Sequence, residues 1–155
     1  MRIFLTQENL LDLGPMNGGP RRMVASIIGG HIKGSDLEAE ILPGGADWPT
    51  LDPMTGTVRP DLRFFARTPL NETIYGNYVG IMKMDAASEK FLSWSPKART
   101  TKSEDHYLIS KPVFEVSSVR LKWMGRNVFL SHGHLHVGEK GEQAIEYEVY
   151  QVVSG

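Results

Sequence analysis

Apolar and polar residues alternate in short runs along most of this chain of 155 residues. In the stretch 35–42, Leu37, Ala39 and Ile41 share one face and glutamates lie on the other, which is the two-residue period of a half-buried strand. Further apolar and β-branched runs are bounded by breakers that contain glycine or proline, as strands are. They cover residues 21–32, 62–68, 73–84, 106–116, 126–137 and 144–153.

A single segment has the pattern of a helix. Ser88 is the predicted N-cap, and Phe91, Leu92 and Trp94 cluster behind it. The helix belongs to a connection of roughly twenty residues, 86–105, whose remainder is polar and without period. Connections of this length are commonly lids or surface insertions. The apolar cluster favours a lid, because it would gain stability by covering the mouth of a cavity.

Many short strands, tight turns and almost no helix predict an all-β fold. We expect a closed antiparallel β-barrel of roughly 8–10 strands, with one short helix in a long loop. A barrel is favoured over an open sheet because closure removes unpaired strand edges. The length of the chain predicts a single domain over residues 1–155.

Composition excludes several kinds of chemistry and partner. The net charge is −1 and acids and bases are interspersed, so we expect neither nucleic acid nor a membrane surface as partner. There is no cysteine, which excludes disulfides, thiolate nucleophiles and cysteine zinc sites. No apolar run reaches the ~18 residues of a membrane span, and residues 1–11 have too short an apolar core for a signal peptide. We therefore expect a cytoplasmic protein.

Three histidines recur at every second residue, so His132, His134 and His136 share one face of a strand. Such a pair at i and i+2 can present two ligands to a divalent metal. The spacing of His132, His134 and Glu139 resembles a cupin motif, but its framing glycines are displaced by one and too little chain follows. We expect no metal and no other cofactor, with a metal-dependent enzyme as an alternative. His134 acting alone as an acid or base is the stronger hypothesis.

Three carboxylates are candidates for acid–base catalysis. Glu40 shares a strand face with Glu38, although such a pair is also typical of a solvent-facing surface. Asp47 follows two glycines and precedes Trp48, where the backbone can approach a ligand closely; a turn aspartate bonded to its own backbone is the alternative. Glu115 alternates with apolar neighbours. We expect Asp47 to be the buried carboxyl, with a raised pKa and the role of general acid or base.

Arg63 also alternates with apolar neighbours. In the lumen it would pair with Glu115 and could hold a carboxylate or enol oxygen, whereas outward-facing positions for both are the alternative. Aromatic residues near strand ends or glycines suit a ligand pocket, as they would suit a packed core. These predicted substrate-binding aromatics are Trp48, Tyr75, Tyr78 and Trp123.

Several stretches resemble the domain-of-unknown-function family numbered 3237. They are "EAEILPGGADW" at 38–48, whose "LPGGADW" part is the most specific, and the weaker matches "DLRFFART", "IYGNYVG", "HYLISKPVFE", "WMGRNVFLSHG" and "YEVYQV". The resemblance covers roughly residues 22–153. The resemblance implies a closed antiparallel barrel similar to the calycins, and no particular reaction. The positions that match its pattern are Glu40, Gly44, Gly45, Asp47, Trp48, Arg63, Tyr75, Glu115 and Trp123. The histidines are not part of the pattern, and "GNYVG" stands where relatives often carry arginines, which favours a more apolar ligand.

Two classes of function follow from these features. The first is a cofactor-free enzyme that isomerises, cyclises, hydrates or dehydrates a small, largely apolar molecule in the barrel, in secondary metabolism on the resemblance alone. The second is a non-catalytic carrier or sensor of such a ligand. A titratable group buried in the barrel would favour the enzyme. The sequence leaves open whether the chain forms a homodimer.

Overall fold

Eight strands of the protein pair side by side until the sheet closes on itself. The computed structural model describes residues 1–34 and 36–154; Ser35 and Gly155 lie outside the described residues. The strands in chain order are β1 (Arg2–Leu5), β2 (Leu11–Pro15), β3 (Arg21–Lys33), β4 (Glu38–Asp47), β5 (Thr50–Asp52), β6 (Thr57–Arg59), β7 (Asp61–Arg67), β8 (Thr73–Lys83), β9 (Leu108–Val116), β10 (Val128–Val137) and β11 (Gln143–Val152).

The closed ring runs β1–β11–β10–β9–β8–β7–β4–β3 and back to β1, with every pair antiparallel. The three remaining strands lie outside this ring: β2 pairs with β3, and β5 and β6 together connect β3 to β8. The sequence prediction of a closed antiparallel barrel with one short helix is therefore confirmed.

The interior of the barrel is filled with side chains. Tyr78 lies at its centre, with its ring 5.1 Å from that of Tyr147 and 5.9 Å from that of Phe64, and all three are buried. An eight-stranded barrel is just wide enough to be filled in this way or to hold one small ligand. Space for a ligand is therefore expected near the two ends of the barrel.

One end of the barrel is closed by the helix α1 (Ala86–Leu92), whose Phe91 is 2% exposed. Asp85, and not the predicted Ser88, is its N-cap, because the Asp85 carboxylate accepts hydrogen bonds from the amides of Ala87 and Ser88. The Ser88 hydroxyl accepts from the Asp85 amide over 2.8 Å and completes a capping box. Within the described ranges, no helix has the length and apolarity needed to cross a membrane.

Two consecutive glycines bend β4 and bring it against β7. The pairing of β4 with β7 shifts register between Leu42 and Ala46, which marks a β-bulge. Gly44 has φ +113, a conformation that side chains disfavour. At Gly45 the reason is space, because a Cβ there would lie 2.2 Å from the carbonyl oxygen of Arg63. The glycines thus serve the bend and the close approach of two strands.

Replacing Gly45 with alanine should lower the free energy of unfolding by about 3 kcal/mol, because the new Cβ forces two backbones apart. Urea denaturation measures the change. Glu40→Ala, on an exposed position of the same strand, is the matched control and should cost less than about 0.5 kcal/mol. Equal stabilities for the two variants would show that β4 and β7 do not approach this closely in solution.

Candidate functional site

A cavity of about 550 Å³ opens at the end of the barrel away from α1, here called the open-end cavity. Its floor is formed by Tyr78 and Tyr147, and Phe114 and Phe129 form part of its wall. Charged and polar side chains stand at its rim: Lys33, Asp36, His134, Glu146, Glu148 and Tyr150. Its volume and aromatic lining are those of a site for a small organic molecule.

The open-end cavity is reached beside β1, because β1 is much shorter than its neighbour β11. Pairing of β1 with β11 covers residues 143–146, and Met1 extends it by bonding the backbone of Tyr147. Beyond that point β11 pairs with β10 along one edge, and no strand among residues 1–34 and 36–154 pairs along its other edge. Val149 and Tyr150 of this free stretch line the cavity.

A second cavity, of about 20 Å³, lies beneath α1 at the opposite end and is here called the Asp47 chamber. Asp47 and Tyr147 are the residues with polar side chains among those that line it. The rest of its lining is apolar: Pro49, Val58, Pro60, Met82, Phe91, Leu92, Leu108, Leu135 and Ile145. A space of this volume holds about one water molecule.

Asp47 is a buried carboxyl, 4% exposed, at the end of β4. Burial raises its pKa to about 7, although the amide of Asp61, which donates to Oδ1 over 3.1 Å, opposes the rise. The nearby Asp61 carboxylate raises it further. At neutral pH the Asp47 carboxyl is therefore divided between its two protonation states, which is the condition that suits an acid–base catalyst.

Tyr147 is the side chain that the two cavities share. Its hydroxyl is buried, and within the described part of the chain no group makes a regular hydrogen bond to it. Burial and the charge of Asp47 raise the pKa of this phenol well above its usual range, against a smaller effect of the Ser110 hydroxyl. The hydroxyl of Ser110 is likewise buried without a regular partner.

Several predicted site residues lie on the outer surface of the barrel and away from both cavities: Glu40, Trp48, Arg63, Tyr75 and Glu115. The pairing of Arg63 with Glu115 in the lumen does not form, and the outward-facing alternative holds for both residues. Arg63 bonds Asp61 over 3.2 Å and lies 5.4 Å from the centre of the Trp48 ring. The cause is the strand period, because buried Leu62 and Phe64 take the inward positions and turn Arg63 outward.

Tyr78 and Trp123 line the open-end cavity, where a ligand would contact them. The hydroxyl of Tyr78 donates to the Sδ atom of Met1 over 3.5 Å. Trp123 lies on the connection between β9 and β10, is 42% exposed, and packs its ring 5.9 Å from that of Phe129. Their role in substrate binding stays a prediction.

The three histidines of β10 alternate with buried residues and therefore point outward. His134 lies 3.7 Å from Glu146 and 3.3 Å from the Ser103 hydroxyl, at the rim of the open-end cavity. His132 contacts the carbonyl oxygen of His106 over 3.1 Å. Among the described residues, no group of three histidine or carboxylate side chains is arranged to hold a metal ion.

The predicted lid segment lies over the Asp47 chamber and not over the open-end cavity. Phe91 and Leu92 reach down from α1 to line the chamber. The end of the segment is held by the buried side chain of His106, whose Nδ1 lies 2.6 Å from Asp85. In this structure the segment therefore covers the Asp47 chamber and is held in place by the hydrogen bond between Asp85 and His106.

Sequence reasoning missed Tyr147, although a signal for it was present. The run 144–153 alternates, and Ile145 and Tyr147 fall on its buried face. A tyrosine on the inward face of a barrel strand is a hydroxyl placed in the interior. The pattern of one strand could not reveal that this side chain lines the same chamber as Asp47, which comes from a distant part of the chain.

Comparisons with known proteins agree with the fold. The profile of a family described as "Protein of unknown function (DUF3237)" matches residues 1–152. A curated relative, a UPF0311 protein of Clostridium acetobutylicum, is 26% identical over 128 residues, which are 83% of this chain and 78% of the relative.

Solved structures of three bacterial proteins are also similar. A conserved protein of unknown function from Rhodopseudomonas palustris has a TM-score of 0.81 at 21% identity, covering 98% of this chain and 93% of that one. A protein of unknown function from Clostridium acetobutylicum has a TM-score of 0.75 at 23% identity, covering 98% and 94%. A β-barrel-like protein from Acinetobacter baumannii has a TM-score of 0.72 at 24% identity, covering 97% and 92%. At these identities the likeness shows the fold alone.

Because the pKa of Asp47 is raised in the folded chain, the free energy of unfolding should depend on pH. Well below pH 4 the carboxyl is protonated in both the folded and the unfolded chain. As the pH rises towards 7 the unfolded chain loses this proton first, so the free energy of unfolding falls, by about 4 kcal/mol in total. Asparagine does not titrate, so the Asp47→Asn variant does not lose this stability. The free energy of unfolding of the variant minus that of the wild type should therefore increase by several kcal/mol between pH 4 and pH 8.

Urea denaturation of both proteins at each pH gives the difference directly, and the titration of other groups cancels. The asparagine retains an oxygen that can accept from the Asp61 amide, so the comparison isolates the charge. A stability difference that stays constant between pH 4 and pH 8 would show that Asp47 titrates with its ordinary pKa.

Proposed function

The chain belongs to the DUF3237 family of proteins of unknown function, and we propose that it is a cofactor-independent enzyme that transfers protons on a small, largely apolar organic molecule. The reaction class is isomerisation, cyclisation or hydration and dehydration, for which acid–base groups in a water-poor site suffice. Secondary metabolism is the proposed setting. One observation carries the proposal: the Asp47 carboxyl is buried inside the barrel in a largely apolar lining, and this burial raises its pKa to about 7.

A buried carboxyl destabilises the folded chain whenever it is ionised, and an apolar residue would fill the same space without that cost. Strongly shifted pKa values of this kind cluster at functional sites. Among the residues that the structure describes, Asp47 is the one charged side chain in the lining of the Asp47 chamber. The chamber therefore supports proton transfer by one carboxyl, alternating between acid and base.

The ligand of the proposed enzyme occupies the open-end cavity. Its floor and walls are mostly aromatic and aliphatic, which suits an apolar ring or chain. Among the lining groups, Lys33 and the Met1 ammonium balance Asp36 and Glu148, while Glu146 is engaged by Arg2 at 2.8 Å. An anionic ligand would therefore gain no net attraction here and would have to bury its charge against apolar walls, so a neutral ligand is favoured.

A non-catalytic carrier or sensor is the second candidate. It is favoured by one observation: Asp47 lines the small chamber under α1 and is not among the residues that line the open-end cavity. A carrier needs only this cavity and makes no use of Asp47. The two candidates therefore differ in what they require of the Asp47 carboxyl.

Binding to the open-end cavity can be measured with a matched pair of fluorescent probes. Neutral N-phenyl-1-naphthylamine should bind at least about five-fold more tightly than 8-anilinonaphthalene-1-sulfonate, which adds a negative charge to a similar ring system. Trp123→Ala should weaken binding of the neutral probe about ten-fold, since the indole lines the cavity. Trp48→Ala, on the outer surface, is the control. Equal losses in both variants would mean that the probe binds elsewhere.

Proton transfer can be tested without knowing the substrate. Neutral apolar molecules that displace N-phenyl-1-naphthylamine are incubated with the protein in deuterium oxide, and proton NMR follows the loss of their carbon-bound hydrogens. The wild type should exchange hydrogen for deuterium in its substrate, and Asp47→Asn should slow this at least about a hundred-fold while the probe still binds.

Glu40→Gln, an outer-surface carboxylate on the same strand, is the control and should exchange at the wild-type rate. Undiminished exchange in Asp47→Asn would exclude Asp47 as the proton-transfer group. Tight displacement of the probe with no exchange, for every molecule tried, would favour the carrier.

A further inference from the structure

Tyr147 lines both the open-end cavity and the Asp47 chamber. The side chain lies in the floor of the open-end cavity and in the wall of the Asp47 chamber. Its ring is held in place by Tyr78, at a centroid distance of 5.1 Å, and its hydroxyl is buried without a regular partner in the described part of the chain. The Ser110 hydroxyl acts on it only weakly and is itself buried without a regular partner, so the hydrogen-bonding capacity of the phenol is largely unfilled, which costs free energy.

The Asp47 chamber has the size and the polarity to hold one water molecule. Its volume of about 20 Å³ exceeds the ~10–15 Å³ that a single water requires. Buried waters are found where at least two polar groups converge, and this chamber offers the Asp47 carboxyl and the Tyr147 side chain. Its other lining residues are apolar, so both hydrogen bonds of such a water would be directed to these two groups.

We propose that the Asp47 chamber binds one water molecule that bridges the Asp47 carboxyl and the Tyr147 hydroxyl, and that Tyr147 relays protons between this water and a ligand in the open-end cavity. The second part rests on the proposed function. In one direction, the ligand gives a proton to the tyrosine oxygen, the tyrosine passes its own proton to the water, and the water passes one to the Asp47 carboxylate. The reverse order returns the proton, and tyrosine and water are unchanged overall.

The electrostatics of the chamber suit a relay rather than a base. Because burial and the Asp47 charge hold the pKa of Tyr147 far above neutrality, the phenol does not store a charge. The proton is stored on Asp47, whose pKa of about 7 lets it accept or release one at neutral pH. Tyr147 is therefore a relay residue, and Asp47 is the acid and base.

The test compares wild type with Tyr147→Phe, which removes the hydroxyl and keeps the ring that packs on Tyr78. Tyr107→Phe is the control, because Tyr107 is 49% exposed and lies outside both cavities. A high-resolution crystal structure of the wild type should show a water between Asp47 and Tyr147. Carbon-13 NMR of the carboxyls should show the pKa of Asp47 rising by about half a unit or more in Tyr147→Phe, since the carboxylate loses hydrogen-bonding support.

The deuterium-exchange assay separates this relay from the proposed function. Tyr147→Phe should slow exchange at least about ten-fold while N-phenyl-1-naphthylamine binds as before, and Tyr107→Phe should change neither. Loss of exchange in Asp47→Asn together with full exchange in Tyr147→Phe would overturn the relay and leave the proposed function standing. Full exchange in Asp47→Asn would overturn the proposed function. A chamber without water and an unchanged Asp47 pKa in Tyr147→Phe would overturn the water site itself.

Discussion

The close approach of β4 to β7 at Gly45 is the contact on which the barrel and its interior site both depend. It lets the bulge at Gly44 and Gly45 form without separating the strands, so β4 continues beyond the bend. The end of β4 then delivers Asp47 to the interior and Trp48 to the surface. A side chain at position 45 would place this carboxyl differently or open the wall beside it.

Side chains fill the middle of the barrel, and the two cavities lie at its opposite ends. Aromatic rings occupy the middle, the open-end cavity lies at one end, and the titratable carboxyl of Asp47 lies under α1 at the other. This separation protects Asp47 from bulk water, which keeps its pKa high. Asp47 lines the small chamber and not the open-end cavity, whereas Tyr147 lines both. The hydrogen bond between Asp85 and His106 holds the cover above the chamber.

The sequence by itself determined the class of fold and the strand periods. Alternation with glycine and proline breakers predicted a closed barrel with one short helix, because each strand of such a sheet buries one face. Burial alternates regularly in β7 and β9, whereas β4 ends with three consecutive buried residues, 45–47. The two glycines before Asp47 also marked the place where β4 bends and its backbone lies close to β7, which leaves no room for a side chain at position 45. For Arg63 and Glu115 the two-residue period alone did not determine which face of the strand points into the barrel. In the structure their apolar neighbours occupy the inward face, so both charged side chains point outward.

Only the tertiary structure decided which distant side chains share a space. Asp47 and Tyr147 are 100 positions apart in the numbering, and no pattern within one strand specifies the stagger that brings them to one chamber. The N-cap of α1 is Asp85 and not the predicted Ser88. The Asp85 carboxylate accepts hydrogen bonds from two backbone amides and also contacts His106, a partner from outside the helix. The raised pKa of Asp47 likewise follows from burial by the whole barrel, whereas its sequence neighbours alone would leave a carboxyl in water.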